Sequence, residues 1–450
     1  MGAYTLPLLM IVALILGIFT GYPVAFILAG LGVAFTFIGD IPVLFLGTVV
    51  SRIFTGNLAN WLLLAVPLFV FMGLMLEKSG VAQNLLRSLE LLFAGRRGGL
   101  AISVTLLGII MAASTGIIGA SVVMLGLMAL PVMIRQGYDK SLAAGTISAA
   151  GTLGILIPPS IMLVLVGDIL QLSVGDLFMG AMIPGLLLGL LYVIYVVGVA
   201  ILFPEKAPAA PAANRVHGSA LVVQLIRDLV APAILIVGVL GSIIAGIATP
   251  TEAAAIGAAG AVAVAAATRQ LTYKALRESI VETGHTTAMI MFVAIGATVF
   301  SVIFKRLGGD AMIEDAVGAL GGGAYATLTA VMLLIFILGF FLEWIEISYV
   351  VLPLFGPIIA TMDFGLGLSS QETLIWFAIL VAVNLQTSFL TPPFGYALFY
   401  LKGIAPPEVT MGDIYRSSIP YVTLQLIGLM LVILFPSLAL WLPRLATSGP

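Results

Sequence analysis

Two stretches of this chain set hydroxyls and small residues ahead of paired prolines: Gly151, Thr152 and Gly154 before Pro158 and Pro159, and Thr387, Ser388 and Thr391 around Pro392 and Pro393. A proline pair inside an apolar run removes two backbone donors and clashes with the preceding turn, so the helix must break and leave carbonyl oxygens without their usual partners. Carbonyls released beside hydroxyls are hard oxygen ligands, suited to a coupling cation such as sodium. Two more clusters have related chemistry. AASTGIIGAS (Ala112 to Ser121) brings Ser114, Thr115, Gly116 and Ser121, and FLEWIEIS (Phe341 to Ser348) brings Glu343, Ile345 and Glu346. An ionisable side chain at the centre of a membrane costs about 2.5–3.5 kcal/mol unless paired or hydrated, which makes both glutamates functional candidates. At a shallow turn they would instead meet water or loop backbone. Asn384 and Gln386 precede the second break, placed to hydrogen-bond a carboxylate or keto oxygen.

The elements that must position these groups are membrane helices. Of the 450 residues 61% are hydrophobic and 8% charged, against roughly 45–50% and about 25% in soluble domains. Apolar runs recur from Leu6 to Leu442 with no long polar stretch, and no cleavable leader stands out at the start. The net charge of -2 argues against nucleic acid, and the absence of cysteine excludes disulfides and thiolate metal sites. His217 and His285 have no metal-binding spacing, and no nucleophile with a base emerges, which disfavours an intramembrane enzyme.

Apolar length predicts ten crossings, near residues 6–20, 23–39, 59–77, 142–166, 177–203, 222–247, 252–268, 283–304, 373–400 and 413–443. Residues 99–134 and 325–361 are apolar but interrupted midway, and each half is too short for a full crossing, so each reads as a re-entrant helical hairpin. The alternative is a pair of thin crossings. The broken helices then cover about 142–166 and 373–400. Arg96, Arg97, Arg135, Lys140, Lys206, Arg215, Arg227, Arg269, Lys274 and Arg277 fall on one side, which should be cytoplasmic. Asp168, Asp176, Asp363 and Glu372 fall on the other with Lys305 and Arg306 as exceptions, and both termini lie outside. LTYKALRESIVE (Leu271 to Glu282) and VLFLGTVVSRIF (Val43 to Phe54) read as interfacial helices, and Trp61, Trp344, Trp376 and Trp441 as interfacial anchors.

The two halves repeat. Pro23 and Pro250, Pro131 and Pro357, Pro158 and Pro392, and Pro184 and Pro420 are separated by 227, 226, 234 and 236 residues. Residues 1–204 form the first repeat, the Pro/Ala-rich 205–217 a cytoplasmic linker, and 218–450 the second repeat. Five crossings and one hairpin per half make an odd number of traversals, so the second copy is inverted relative to the first. The expected fold is an all-α polytopic membrane protein with inverted-topology repeats, two hairpins and two broken helices.

LPVMIRQGYDKSLAAGTISAAGTLGILIPPSIMLVL (Leu130 to Leu165), GIATPTEAAAIGA (Gly246 to Ala258) and TPPFG (Thr391 to Gly395) resemble the large membrane subunit of the tripartite ATP-independent periplasmic (TRAP) transporters, in order and over essentially the whole chain. The resemblance implies sodium-driven import of an organic anion across the bacterial inner membrane by an elevator mechanism. It also implies a periplasmic substrate-binding protein and a separate four-helix small membrane subunit, besides contact with lipid. The first sodium site would use Ser114, Thr115, Gly116, Gly151, Thr152, Gly154 and Pro158. The second would use Ile345, Glu346, Thr387, Ser388, Thr391 and Pro392. Glu343, Asn384, Gln386 and Ser121 would meet the substrate. The family more often has an aspartate where FLEWIEIS has its glutamates. The wording of the second half resembles the branch associated with 2-oxo acids, lactate and similar small carboxylates. A stand-alone sodium/dicarboxylate carrier is the alternative, and a channel fits two dissimilar polar tips less well.

Overall fold

The computed structural model describes residues 4–115, 118–209, 219–319 and 321–447, without the side chains of 113–115, 219–227 and 447, and every regular element among them is helical. The first half opens with α1 (Thr5–Ile18) and α2 (Val24–Ile38), followed by the short amphipathic α3 (Leu46–Ile53). A π turn at Phe54–Leu58 and a turn capped by Asn60 lead into α4 (Ala65–Lys78), and α5 (Val81–Phe93) follows. The first hairpin is α6 (Gly99–Thr115) and α7 (Ile118–Arg135). Its ends meet: the Leu100 N–H donates to the Tyr138 hydroxyl at 3.2 Å, so the pair enters and leaves at one end of the bundle. The first broken helix is α8 (Lys140–Thr152) and α9 (Ile161–Leu170), and the 29-residue α10 (Val174–Leu202) closes the half.

The second half repeats this order. It runs α11 (Ser219–Ile244), α12 (Pro250–Ala267), α13 (Tyr273–Arg306) and α14 (Gly309–Ala319), then the hairpin α15 (Gly323–Leu338) and α16 (Trp344–Ala360). The second broken helix is α17 (Ser370–Leu390) and α18 (Tyr396–Ile404), followed by α19 (Met411–Leu434) and α20 (Ser437–Thr447). The ring of Tyr325, at the start of this hairpin, lies 5.3 Å from that of Phe364, just past its end. This hairpin therefore also returns to its starting end. Three helices start on boxes legible in the sequence, Thr249 with Glu252, Ser369 with Glu372 and Thr410 with Asp413, and such caps contribute about 1 kcal/mol each.

The halves interlock by exchange. α2 packs along α13 of the other half, while α12 packs along α4, and α7 lies beside α18 while α16 lies beside α9. Both pairings follow from two inverted copies, because α2 corresponds to α12, α4 to α13, α7 to α16 and α9 to α18.

Hydrogen bonds identify the two ends of the bundle. At one end the Gly98 N–H donates to Ala207 O and the Asp139 N–H to Lys206 O, both at 2.9 Å, Lys140 Nζ reaches Glu408 O at 2.6 Å, and Lys78 pairs with Glu282 at 3.1 Å. These contacts gather the loops bearing Arg96, Arg97, Arg135 and Lys206, and the base of the first hairpin. At the other end Asn60 Nδ2 donates to Asp168 Oδ1 at 2.6 Å, Arg444 pairs with Glu372 at 2.6 Å, and Tyr4 bonds to Asp315. The second hairpin is based there, so the two hairpins enter from opposite ends.

Several sequence expectations change. Trp344 and Trp376 are fully buried and are not interfacial anchors, whereas Trp61 and Trp441 are exposed. Burial of Trp376 is possible because its indole N–H finds Val432 O at 2.9 Å. The stretch from Leu271 to Glu282 is not a separate interfacial helix. From Tyr273 on it is continuous with the following crossing in α13, which Thr272 caps and which has no proline to break it, so His285 is mid-helix. The last crossing ends at Leu434, where Pro436 separates α20. α1 and α2 have 14 and 15 residues, below the roughly 20 of a perpendicular crossing.

The absence of cysteine makes topology directly testable. A membrane-impermeant maleimide applied to intact spheroplasts should label Asp310→Cys and Asp363→Cys, and should label Arg97→Cys and Lys274→Cys only after permeabilisation. Labelling of all four without permeabilisation, or the reverse pattern, would contradict this orientation.

Candidate functional site

The first break lies in the most buried part of the molecule, residues 142–166 being buried throughout, whereas the second follows the buried run 375–390 and emerges from it, with Thr391 and Pro392 half-buried and Pro393 and Phe394 exposed. In a regular helix the Gly154 and Ile155 carbonyls would take N–H groups from residues 158 and 159, but both are prolines. The Ser160 hydroxyl replaces one, donating to Ile155 O at 2.7 Å, while the Leu156 and Ile157 N–H groups turn to Leu153 O at 3.0 Å. The same frame recurs at Ser388 and Phe389, four residues before Pro392 and Pro393. There the Thr391 N–H bonds Ser388 O at 3.2 Å and the Gly395 N–H bonds Thr391 O at 2.9 Å. Each proline pair is joined by a cis peptide bond.

The hairpin tips meet these breaks. At the first, Ser114 and Thr115 form the last backbone turn of α6, but their side chains and all of Gly116 lie outside the described residues. Ser121 is buried on α7, and the next residue, Val122, packs so tightly on Gly151 that a Cβ there would come within 2.5 Å of its Cγ2. At the second tip a Cβ on Gly339 would collide with Ser388 Oγ. Each hairpin is thus locked to the break of its own repeat through a glycine.

Glu343 caps α16 without making a side-chain cap bond, and Glu346 lies one turn later. Both are half-buried, and both line a cleft of ≈ 480 Å³ whose other walls are Tyr22 to Phe26 at the start of α2, Ala288 to Val293 of α13, and Tyr396 beyond the second break. Glu346 Oε2 is buried with no hydrogen-bond partner among the described residues. Phe341 stands at the same tip, its ring 5.2 Å from Phe19 and 5.1 Å from Phe394. The cleft therefore separates α2 and α13 from the second hairpin and break, on the side of the α2 start.

The remaining sequence candidates divide by how their polar atoms are used. The hydroxyls of Thr152, Thr387, Ser388 and Thr391 donate to carbonyls of their own helices, those of Ala149, Val383, Leu385 and Thr387. As acceptors these hydroxyls keep lone pairs for a cation. Asn384 Nδ2 donates to Met332 O at 2.7 Å, tying α17 to α15. Gln386 is fully buried and neither its Oε1 nor its Nε2 has a partner among the described residues. Trp344 Nε1 and Tyr349 OH, to which the sequence assigned no site role, are also buried without partners among the described residues. Their signal in the sequence was proximity to the glutamates on one helix. Among the described residues no group of three His, Asp or Glu is arranged to hold a metal ion.

Helix ends add a further field. α8, α15 and α17 finish at the tips and breaks, presenting carbonyls, whereas α9, α16 and α18 begin there with no side-chain cap. Carbonyl ends favour cations and uncapped N–H ends favour anions.

Comparison with known proteins adds context to this geometry. A family profile described as tripartite ATP-independent periplasmic transporter, DctM component, matches residues 11–438. The C4-dicarboxylate TRAP transporter large permease protein DctM of Pseudomonas aeruginosa is 33% identical over 390 residues, covering 86% of this chain and 87% of that protein. The isethionate TRAP transporter permease protein DctMQ of Oleidesulfovibrio alaskensis is 29% identical over 419 residues, 92% of this chain and 62% of its own length. In fold, the chain is similar to the crystal structure of the Alcanivorax borkumensis YdaH transporter, described as having an unusual topology, with a TM-score of 0.62 at 17% identity over 90% of each chain.

The contact at Gly339 yields a reciprocal test. Gly339→Ala should destabilise the protein by about 1–3 kcal/mol through overpacking, seen as a lower melting temperature in detergent. Adding Ser388→Gly should restore most of that loss. Equal melting of Gly339→Ala and the unaltered protein would show that this approach is loose.

Proposed function

The chain belongs to the DctM component family of tripartite ATP-independent periplasmic transporters, and from that membership we propose that it imports a small organic acid anion, delivered by a periplasmic binding protein, across the bacterial inner membrane by sodium coupling. The observation that carries this reading is the meeting of three helix carboxyl ends and three uncapped amino ends at the two breaks and the second hairpin tip. The carbonyl ends, with Thr152 at the first break and Thr387, Ser388 and Thr391 at the second, supply oxygen ligands for sodium. The amino ends, with Gln386 and bound sodium, meet the negative charge of the substrate. No arginine lies among the described residues of either tip, which suits a small acid rather than a polyanion. A 2-oxo acid, lactate or related carboxylate fits that description.

Movement follows from the same arrangement. α2, α4, α12 and α13, crossed between halves, form the fixed frame, and the hairpins with the broken helices form the unit that slides through it as an elevator. The cleft beside Glu343 and Glu346 opens toward the start of α2, the end assigned to the cytoplasm, while Asn60 and Asp168 close the frame against α9 at the far end. That combination corresponds to an inward-open state. The small membrane subunit, carried by a separate chain, would extend the frame, and the name DctMQ of the isethionate relative accords with such a pairing.

Reconstitution tests the coupling. In proteoliposomes holding both membrane subunits, uptake of a small organic acid should require the cognate binding protein and an inward sodium gradient. Ser388→Val should raise the sodium concentration for half-maximal uptake by roughly tenfold, equivalent to about 1.4 kcal/mol. Equal uptake without the binding protein would support a stand-alone carrier instead.

The glutamates are tested separately. Glu343→Gln and Glu346→Gln keep shape while removing charge, and the double variant should alter sodium or substrate affinity. Unchanged values for both in all three variants would make these carboxylates structural.

A further inference from the structure

The cleft beside the second hairpin has few groups that could meet an anion. Its polar lining side chains among the described residues are Tyr22, Glu343, Glu346 and Tyr396. Carboxylates only accept hydrogen bonds, so the two phenols are its side-chain donors. Tyr22 stands in the turn before α2, on the frame, and is 70% exposed. Tyr396 is the first residue of α18, on the unit that carries both breaks, and is half-buried. A donor that travels with its ligand must be Tyr396.

The Tyr396 hydroxyl is oriented by a neighbour one turn on. Tyr400 OH donates to Tyr396 OH at 3.0 Å, and the two rings meet edge to face at 4.9 Å. Each phenol has one proton. Because Tyr400 uses its own on Tyr396, the Tyr396 proton stays free for a ligand in the cleft, and among the described residues it has no acceptor. Tyr400 is held in turn by the first hairpin. α18 is seated along α7, where a Cβ on Gly126 would collide with Ile404 Cδ1 and one on Gly119 would come within 2.7 Å of Tyr400 Cζ. Gly119 is the second residue of α7, beside the first tip. A phenol in the cleft of one repeat is thus set by the hairpin of the other.

Resting on the import of a small organic acid anion proposed above, we propose that the Tyr396 hydroxyl donates a hydrogen bond to the carboxylate of the transported acid, and that Tyr400 is the positioning residue that keeps this proton available to the cleft. The phenol supplies a donor where Glu343 and Glu346 supply acceptors. It adds to the amino end of α18, whose N-cap, Gly395, has no side chain to occupy the free N–H groups.

The test uses the transporter with both membrane subunits, purified in detergent with saturating sodium at fixed pH. The rise in melting temperature is titrated with pyruvate, lactate and succinate in separate series, and the acid with the largest effect on the unaltered protein is used for the variants. Tyr396→Phe keeps the ring and removes the donor, and it should raise the acid concentration for half-maximal stabilisation roughly tenfold. Tyr400→Phe leaves the Tyr396 proton in place but unguided and should raise it about two- to fivefold. Stabilisation by sodium without acid should be the same in all three proteins. A merely structural role would lower the starting melting temperature and leave the half-effect concentration where it was. An unchanged half-effect concentration in Tyr396→Phe would overturn the contact with the acid reading intact, and an unchanged value in Tyr400→Phe alone would overturn the positioning role. Failure of all three acids to stabilise the unaltered protein would overturn the small-acid reading and this proposal together. Should Tyr396→Phe not fold, Tyr400→Phe decides, and an unchanged value there would refute the proposal.

Discussion

A backbone carbonyl without a partner inside a membrane is the constraint on which this structure depends. Two proline pairs create such carbonyls at buried depth, where water is not available to satisfy them. The protein answers with local repairs, such as Ser160 reaching Ile155 O and Thr391 turning onto Ser388 O. What these repairs leave open is the candidate site. The hairpins follow from the same need, because an irregular segment in the bilayer must be covered by protein, and a helix pair that enters from one end covers it without another full crossing.

Close approach gives the covering its precision. Gly151 under Val122 and Gly339 under Ser388 leave no room for a side chain, so each hairpin and its own break form one packed body. The exchange of α7 with α18 and α16 with α9 then links the two bodies across the pseudo-symmetry. A unit held together this tightly, in contact with an equally crossed frame of α2, α4, α12 and α13, is more readily shifted whole than deformed. The sodium-coupled import proposed above needs only that rigidity, since whatever occupied one break would bias the position of both.

Symmetry explains the frame but not the division of labour. At equivalent positions the first repeat has Thr152, whose hydroxyl donates to Ala149 O, and the second has Gln386, whose amide atoms have no partner among the described residues. The acidic pair Glu343 and Glu346 belongs to the second tip alone, where it lines the cleft walled by α2 and α13. Duplicated backbone thus supplies two breaks on the same proline frame, and the side chains around them differ between copies.

The sequence by itself determined whatever depends on covalent geometry and local period. Prolines at 158 and 392 had to break their helices, the interruptions at residues 112–121 and 341–348 had to turn, and the ladder of matched prolines disclosed the duplication before any contact was known. Capping signals fixed where α12, α17 and α19 begin. Tertiary structure decided what depends on neighbours distant in sequence. Trp344 and Trp376 resemble interfacial anchors in composition, and only packing buried them. Asn384 is a suitable ligand by residue type, yet its amide is committed to Met332 O. The hydrogen bond from Gln425 Nε2 to the Tyr192 hydroxyl joins residues 233 positions apart. No local pattern encodes it, because a hydrogen bond between helices is set by how they pack and not by the propensity of either one.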